Sequence, residues 1–244
     1  MPEFSRYTQS STVLPGVCDH TAKLGYVDAF TVCQDLATTH AQALGVGAWD
    51  MAARGLFWLT VKTRLHFYDR PRMMDVVTLE TCPVKPEQLR GLRDYRISQG
   101  GKTLISGMTE WAVLETATGK LHRMGDVFPP EVVPAEAAAD QRPFLRINPD
   151  FSDGQLLGVH RVCSNDIDLG HHMNNVAYLR ALFGLFSTKE LDEMRICEIE
   201  LSFRSSCYEG DELRYFTRNV PDGLEFAAFT DTPKPMLLGK LTVE

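Results

Sequence analysis

The chain has 244 residues, 44% of them hydrophobic, which is enough for one large core or two smaller ones at the usual domain size of about 100–150 residues. Its formal net charge of -7 argues against a general nucleic-acid binder, which carries a strongly basic face or arm. No run approaches the roughly 18 apolar residues of a membrane-spanning helix, and the opening MPEFSRYTQS lacks the basic-then-apolar layout of a secretory signal, so a soluble cytoplasmic protein without a membrane partner is expected.

In chain order, the first helix is expected over about Ala29–Leu44, where Val32, Cys33, Leu36, Ala37, His40, Ala43 and Leu44 recur at three-to-four spacing. His40 on that face reads as a core histidine. Strands follow at about Phe57–Tyr68, Asp75–Val84, Gly91–Ser98 and Thr103–Leu114, with alternation such as Val77, Leu79, Thr81. The prolines at positions 129, 130, 134, 143 and 149 forbid a long regular element, so residues 129–154 read as a linker laid over the surface. A strand at Leu156–Val162 leads to a second helix that begins near Asn174 and carries Val176, Leu179, Leu182, Phe183 and Phe186 along one stripe. Strands close the chain at about Arg195–Arg204, Asp211–Asn219, Leu224–Thr230 and Met236–Val243.

This order is written twice, and an internal repeat constrains a fold strongly. Leu65 matches Leu201, Phe67 matches Phe203, Asp75 matches Asp211 and Thr81 matches Thr217, all at one offset; Gly91-Leu92 matches Gly223-Leu224, and Gly107 matches Gly239, at a slightly smaller one. Each half has one helix and then a run of alternating strands, so its sheet has one face on the helix. The expected class is α+β, a tandem (double) hot-dog: two long helices, each wrapped by an antiparallel sheet, with the two copies sharing one continuous sheet. The corresponding division is 1–128 for the first hot-dog, 129–154 for the linker and 155–244 for the second.

The segment NDIDLGHHMNN, Asn165–Asn175, is too polar for a core and dense in reactive types. It precedes a helix N-terminus, whose unpaired N–H groups and partial positive charge can hold a developing oxyanion. Asp168 is the candidate general base or nucleophile, and His172 the candidate to orient substrate or assist proton transfer. The bland alternative makes Asp166 or Asp168 a helix cap. A metal site would draw on Cys163, Asp166, Asp168, His171 and His172, but adjacent histidines point in different directions and no second cluster completes the set; no metal is expected. Cys207 follows a strand, and its repeat partner in the first half is Pro71; a thiol there could form a Cys–His pair or serve as a small apolar filler. The six cysteines contain no CxxC pair and read as free thiols. No P-loop or GxGxxG stretch occurs, so no cofactor is expected.

DLGHHMNNVAY (Asp168–Tyr178) together with LSFRSSC (Leu201–Cys207) resembles the acyl-acyl carrier protein thioesterases of plants and bacteria. HAQALG (His40–Gly45), LFWLTVKTRLHFYDRPRMMDVV (Leu56–Val77) and EWAVLETATGKLHRM (Glu110–Met124) are similar to that family's first half. The resemblance implies hydrolysis of fatty acyl thioesters of acyl carrier protein, with a catalytic second half and an acyl pocket shaped mainly by the first. It places Asp168 and His172 at catalytic positions and makes Cys207 a candidate nucleophile; His171, Asn174 and Asn175 are the candidate substrate-binding residues. It also implies a homodimer. Two departures stand out: Gly170 replaces an asparagine two residues before the histidine, and Ser206 replaces a glutamate before the cysteine. They shift water activation onto Asp168 and leave Asn174 or His171 to supply the missing amide. An acidic carrier calls for a basic surface, for which Arg64, Arg70, Arg72, Arg90, Arg93, Arg96 and Lys102 are candidates. Rival functions are an acyl-CoA thioesterase on the same site, a hot-dog hydratase and a non-catalytic acyl-binding protein.

Overall fold

The computed structural model describes residues 5–136 and 138–244. The chain divides into two compact units, Met1–Pro143 and Phe144–Glu244, a division that falls inside the proline-rich stretch.

The first unit runs β1 (Tyr7–Thr12), α1 (Tyr26–Ala43), α2 (Ala48–Ala53), β2 (Leu56–Phe67), β3 (Val76–Pro83), β4 (Gly91–Gln99), β5 (Lys102–Glu115) and β6 (Leu121–His122). Its antiparallel sheet has the order β1-β3-β4-β5-β2, with β6 on β5. Helix α1 buries Ala29, Phe30, Cys33, Leu36, Ala37 and His40 along one stripe, as the spacing predicts. It stops where Gly45 takes the left-handed conformation at φ +68°, which favours glycine.

The second unit runs β7 (Gln155–Arg161), α3 (Asn175–Phe183), α4 (Thr188–Glu193), β8 (Ile196–Phe203), β9 (Glu212–Val220), β10 (Gly223–Phe229) and β11 (Pro235–Val243). Its sheet repeats the first in the same order, β7-β9-β10-β11-β8. The second helix is shorter than expected and stops before Phe186: α3 has 9 residues, half the 18 of α1. Gly184 closes it, and Ser187, in a capping box with Glu190, starts the separate α4.

The registers expose the duplication. In the first unit Thr81, Tyr95, Gly107 and Leu65 lie opposite one another across four strands; in the second, Thr217, Phe226, Gly239 and Leu201 do. Tyr95 thus corresponds to Phe226, which puts β10 one residue out of step with the Gly91–Gly223 sequence match. A one-residue slip exchanges the faces of a strand, so the ladder and not the identities fixes the correspondence.

Both matched glycines are close approaches. A Cβ on Gly107 would stand 2.5 Å from the Arg64 carbonyl oxygen, and one on Gly239 would stand 2.7 Å from the Glu200 carbonyl oxygen. Backbone cannot yield as a side chain can, so Gly107→Ala is expected to cost about 1–3 kcal/mol, read as a fall of several degrees in the thermal unfolding midpoint.

One row further along each sheet the halves diverge. Thr63, Thr109 and Arg93 line the first; Ile199, Leu241 and Leu224 line the second. Arg93 is buried and donates to His40 Nδ1 (2.9 Å) and Thr81 Oγ1 (3.3 Å), while His40 stacks on Tyr7. His40 is therefore a satisfied core histidine.

The proline-rich stretch is fastened on both sides of the division. In the first unit Ala135 bridges to Val84, and the Ala139 N–H donates to Asp94 Oδ2 (2.7 Å). In the second, Ile147 and Phe151 are buried with Ala227 and Leu238, covering a sheet face. None of the helices among the described residues is long and apolar enough to cross a membrane.

Candidate active site

β7 ends where the Val162 N–H donates to the Asp211 carbonyl (2.9 Å) and the Gly210 N–H to the Val162 carbonyl (2.9 Å). A single 3-10 turn, Ser164–Asp166, follows. The chain then makes a tight hairpin in which Ile167 pairs with Met173. Across it the Asp168 N–H donates to the His172 carbonyl (3.0 Å) and the His171 N–H to the Asp168 carbonyl (3.0 Å), with His171 left-handed at φ +60°. The reversal puts the two side chains on one side: Asp168 Oδ1 lies 4.0 Å from His172 Nδ1, both groups half-buried. Oδ1 also accepts the Gly170 N–H (2.8 Å). Among the described residues no donor is bonded to Oδ2. The carboxylate is therefore oriented through one oxygen and left with acceptor capacity on the other.

The helix cap is Asn174, not either aspartate: its Oδ1 accepts the Val176 N–H (2.8 Å). Its own N–H is given to the Asp166 carbonyl, and the Ala177 N–H to the Asn174 carbonyl. The start of α3 thus has fewer donors to offer than the sequence suggested, and the Asn174 side-chain oxygen is used as the cap. Asn175, the first residue of α3, is half-buried and His171 is exposed.

Cys207 lies against this helix start, its carbonyl accepting the Met173 N–H (2.8 Å). The thiol is fully buried, and burial pushes its pKa up to about 11. The Cys207 N–H donates to the Tyr178 hydroxyl (3.0 Å), which donates to the Ser205 carbonyl (3.3 Å). Tyr215 in turn donates its hydroxyl to the Tyr178 carbonyl (2.8 Å). A thiol held neutral and out of solvent is a poor nucleophile, and the sequence reading missed Tyr178, whose hydroxyl organises this corner. The five residues considered as metal ligands do not converge; no group of three or more His, Cys, Asp or Glu suited to a metal ion occurs among the described residues.

The first half contains a copy of the loop. Cys18 pairs with Leu24 as Ile167 does with Met173. The Asp19 N–H donates to the Lys23 carbonyl (2.9 Å), the Thr21 N–H to Asp19 Oδ1 (2.9 Å), and the Leu24 N–H to the Pro71 carbonyl (2.9 Å). Ala22 is left-handed at φ +54°, as His171 is at +60°. By this correspondence Asp19 stands for Asp168, Lys23 for His172, Arg70 for Ser206 and Pro71 for Cys207. The chemistry is opposite. Arg70 binds the second oxygen of Asp19, donates to the Leu24 carbonyl (3.0 Å) and lies 4.2 Å over the Tyr26 ring. Burial raises the pKa of Asp19, but the hydrogen bonds from Thr21 and Arg70 and the charge of Arg70 more than offset it and hold the carboxyl below its usual range.

Most of the expected basic docking surface is otherwise engaged. Arg64 and Arg93 are buried, Arg70 is spent on Asp19, and Arg90 and Arg96 pair with Glu110 and Glu80. Arg72 and Lys102 remain exposed. Alternation on a strand does not say which face a long cation takes.

Residues 5–131 match the family profile described as acyl-ACP thioesterase N-terminal domain, and residues 156–230 match acyl-ACP thioesterase C-terminal domain. A chloroplastic acyl-[acyl-carrier-protein] hydrolase of Cuphea viscosissima is 24% identical over 216 residues, covering 83% of this chain and 52% of the relative. A chloroplastic oleoyl-acyl carrier protein thioesterase of Arabidopsis thaliana is 24% identical over 197 residues, covering 73% and 53%. The chain spans about half the length of the curated relatives it matches. Among solved structures, an acyl-ACP thioesterase from Bacteroides thetaiotaomicron superposes with a TM-score of 0.88 at 19% identity, covering 98% of both chains. The 12:0-ACP thioesterase from Umbellularia californica gives 0.81 at 17% identity, over 98% of this chain and 97% of that one. Both share the tandem hot-dog fold.

Proposed function

The chain belongs to the acyl-ACP thioesterase family, and from that premise we propose that it hydrolyses fatty acyl thioesters of acyl carrier protein to free fatty acid and carrier thiol. Asp168 takes a proton from a water that adds to the thioester carbonyl carbon; the C–S bond then breaks and the proton passes to the departing sulfur, with His172 orienting the exchange. The Gly170 N–H orients Asp168 through the backbone bond that the Thr21 N–H makes to Asp19 in the first half, and the asparagine side chain that the resemblance implies at position 170 is missing. Asn175 and His171 are assigned to the substrate side.

One observation carries this reading: of two loops with the same backbone hydrogen bonds, the one in the first half has its carboxylate closed by Arg70, and the one in the second half bonds no donor among the described residues to Asp168 Oδ2 and has His172 Nδ1 4.0 Å from Oδ1. A thiol-release assay across acyl carrier protein substrates of differing chain length, with the matching acyl-CoA esters in competition, tests it; absence of turnover on every substrate would leave an acyl-binding protein. We further propose a cytoplasmic homodimer, checked by light scattering in solution.

Cys207 is assigned to the scaffold. Cys207→Ala is expected to keep kcat within about threefold, whereas loss of a nucleophile would cost orders of magnitude; steady-state kinetics on the purified variant decide between them.

A further inference from the structure

Asp166 is buried beside the proposed active site and has no part in the chemistry above. Its Oδ2 accepts from His160 Nε2 (2.8 Å), from the Cys163 N–H (2.9 Å) and from Cys163 Sγ (3.3 Å). Its carbonyl accepts the Asn174 N–H (2.8 Å). Burial raises its pKa, and the bonds from Cys163 and His160 more than offset that and hold it below the usual carboxylate range. One residue therefore ties together β7, the 3-10 turn and the cap of α3, and it pins both ends of the hairpin that carries Asp168 and His172.

The first half shows that the fold does not require this. Ser11 stands opposite Val77 as His160 stands opposite Leu213, in strands that correspond. Continuing the correspondence, Leu14 occupies the place of Cys163 and Val17 that of Asp166. The Val17 carbonyl still accepts the Gly25 N–H (2.9 Å), and the hairpin closes with the same backbone bonds. Three apolar or small residues suffice to build the loop where its carboxylate is locked by Arg70. Where the carboxylate is open, a buried carboxylate and a histidine partner stand instead, although taking a charged group out of water is costly even when it is paired. The backbone clamp folds the loop; the side-chain clamp serves something the first copy lacks.

We infer that His160 and Asp166 are positioning residues for Asp168 and His172, holding the hairpin so that the Asp168 carboxylate keeps its orientation during turnover. This rests on the hydrolytic reading above. Misplacing a catalytic group by about 1 Å can cost about a hundredfold.

The test compares His160→Ala, His160→Gln, Asp166→Asn and, as the control at the corresponding place in the first half, Ser11→Ala. Two readouts are taken: kcat and KM on an acyl carrier protein thioester, and hydrogen exchange of the Gly170 amide, which reports the bond to Asp168 directly. His160→Ala and Asp166→Asn are expected to lower kcat by about 10–100-fold with KM within about twofold, and to speed Gly170 exchange. His160→Gln, which keeps a donor toward Asp166, restores most of kcat, and Ser11→Ala changes neither readout. Unchanged kcat in both His160→Ala and Asp166→Asn would overturn the inference, as would losses that track the unfolded fraction and are not rescued by glutamine. If the unaltered protein releases no thiol from any substrate, the proposed function fails, and Gly170 exchange alone then decides whether the clamp exists.

Discussion

Asp168→Asn is expected to lower kcat for acyl thioester hydrolysis by about 10²–10⁴-fold, the range that a positioned general base supplies, with KM little changed. The substitution is nearly isosteric. The amide oxygen can still accept the Gly170 N–H that now goes to Oδ1 (2.8 Å), so the hairpin should survive, and the thermal midpoint is the control for that. What disappears is the ability of the second oxygen to take a proton from water. Full activity in this variant would remove Asp168 from the mechanism and move attention to His172.

Ser206→Arg is expected to be nearly as damaging, by transplanting the lock that the first half already carries. Arg70, at the corresponding place, reaches the second oxygen of Asp19 and the Leu24 carbonyl. The same side chain at position 206 would meet Asp168 and the Met173 carbonyl, whose oxygen now lies 3.3 Å from His172 Nδ1. An ion pair there would hold the carboxylate ionised but occupied, and a paired carboxylate is a weaker base. We expect kcat to fall about a hundredfold or more, with the thermal midpoint as the control that the variant still folds. Retained activity in a folded variant would show that the open oxygen is not what separates the halves.

Much of this was legible in the sequence because burial writes a period into it. The eight long strands and the face of α1 follow from alternation and from three-to-four spacing. The elements that escaped notice are those whose sequence carries no period: β1, YTQSST, has five polar residues and buries none of its six, β6 has two residues, and α2 and α4 have six each. The second helix was overextended because Phe186 continues the apolar stripe beyond Gly184, and periodicity alone does not register a cap. The site loop was recognisable from its density of Asp, His and Asn, and Asp168 and His172 do meet. Asn174, expected on the substrate side, also caps α3 through its side-chain oxygen, a use that an asparagine before a helix serves equally well. Cys207, expected as a candidate nucleophile, is buried, and its backbone N–H is held by the Tyr178 hydroxyl from 29 residues away, a contact that no local pattern announces. The locked copy at Asp19 shares almost no identities with the open one; only the hydrogen bonds match.

The strip Ile147–Phe151 settles where the second half begins as a physical object. Ala227 and Leu238 lie beneath it, on the side of their strands opposite Phe226 and Gly239. A fragment cut at Gln155, where the ladder starts, would bare that apolar surface to water and to any neighbouring edge, an invitation to aggregate. Dissection of the two halves therefore has to keep the covering strip with the part it roofs, starting at Phe144 and not at the first strand.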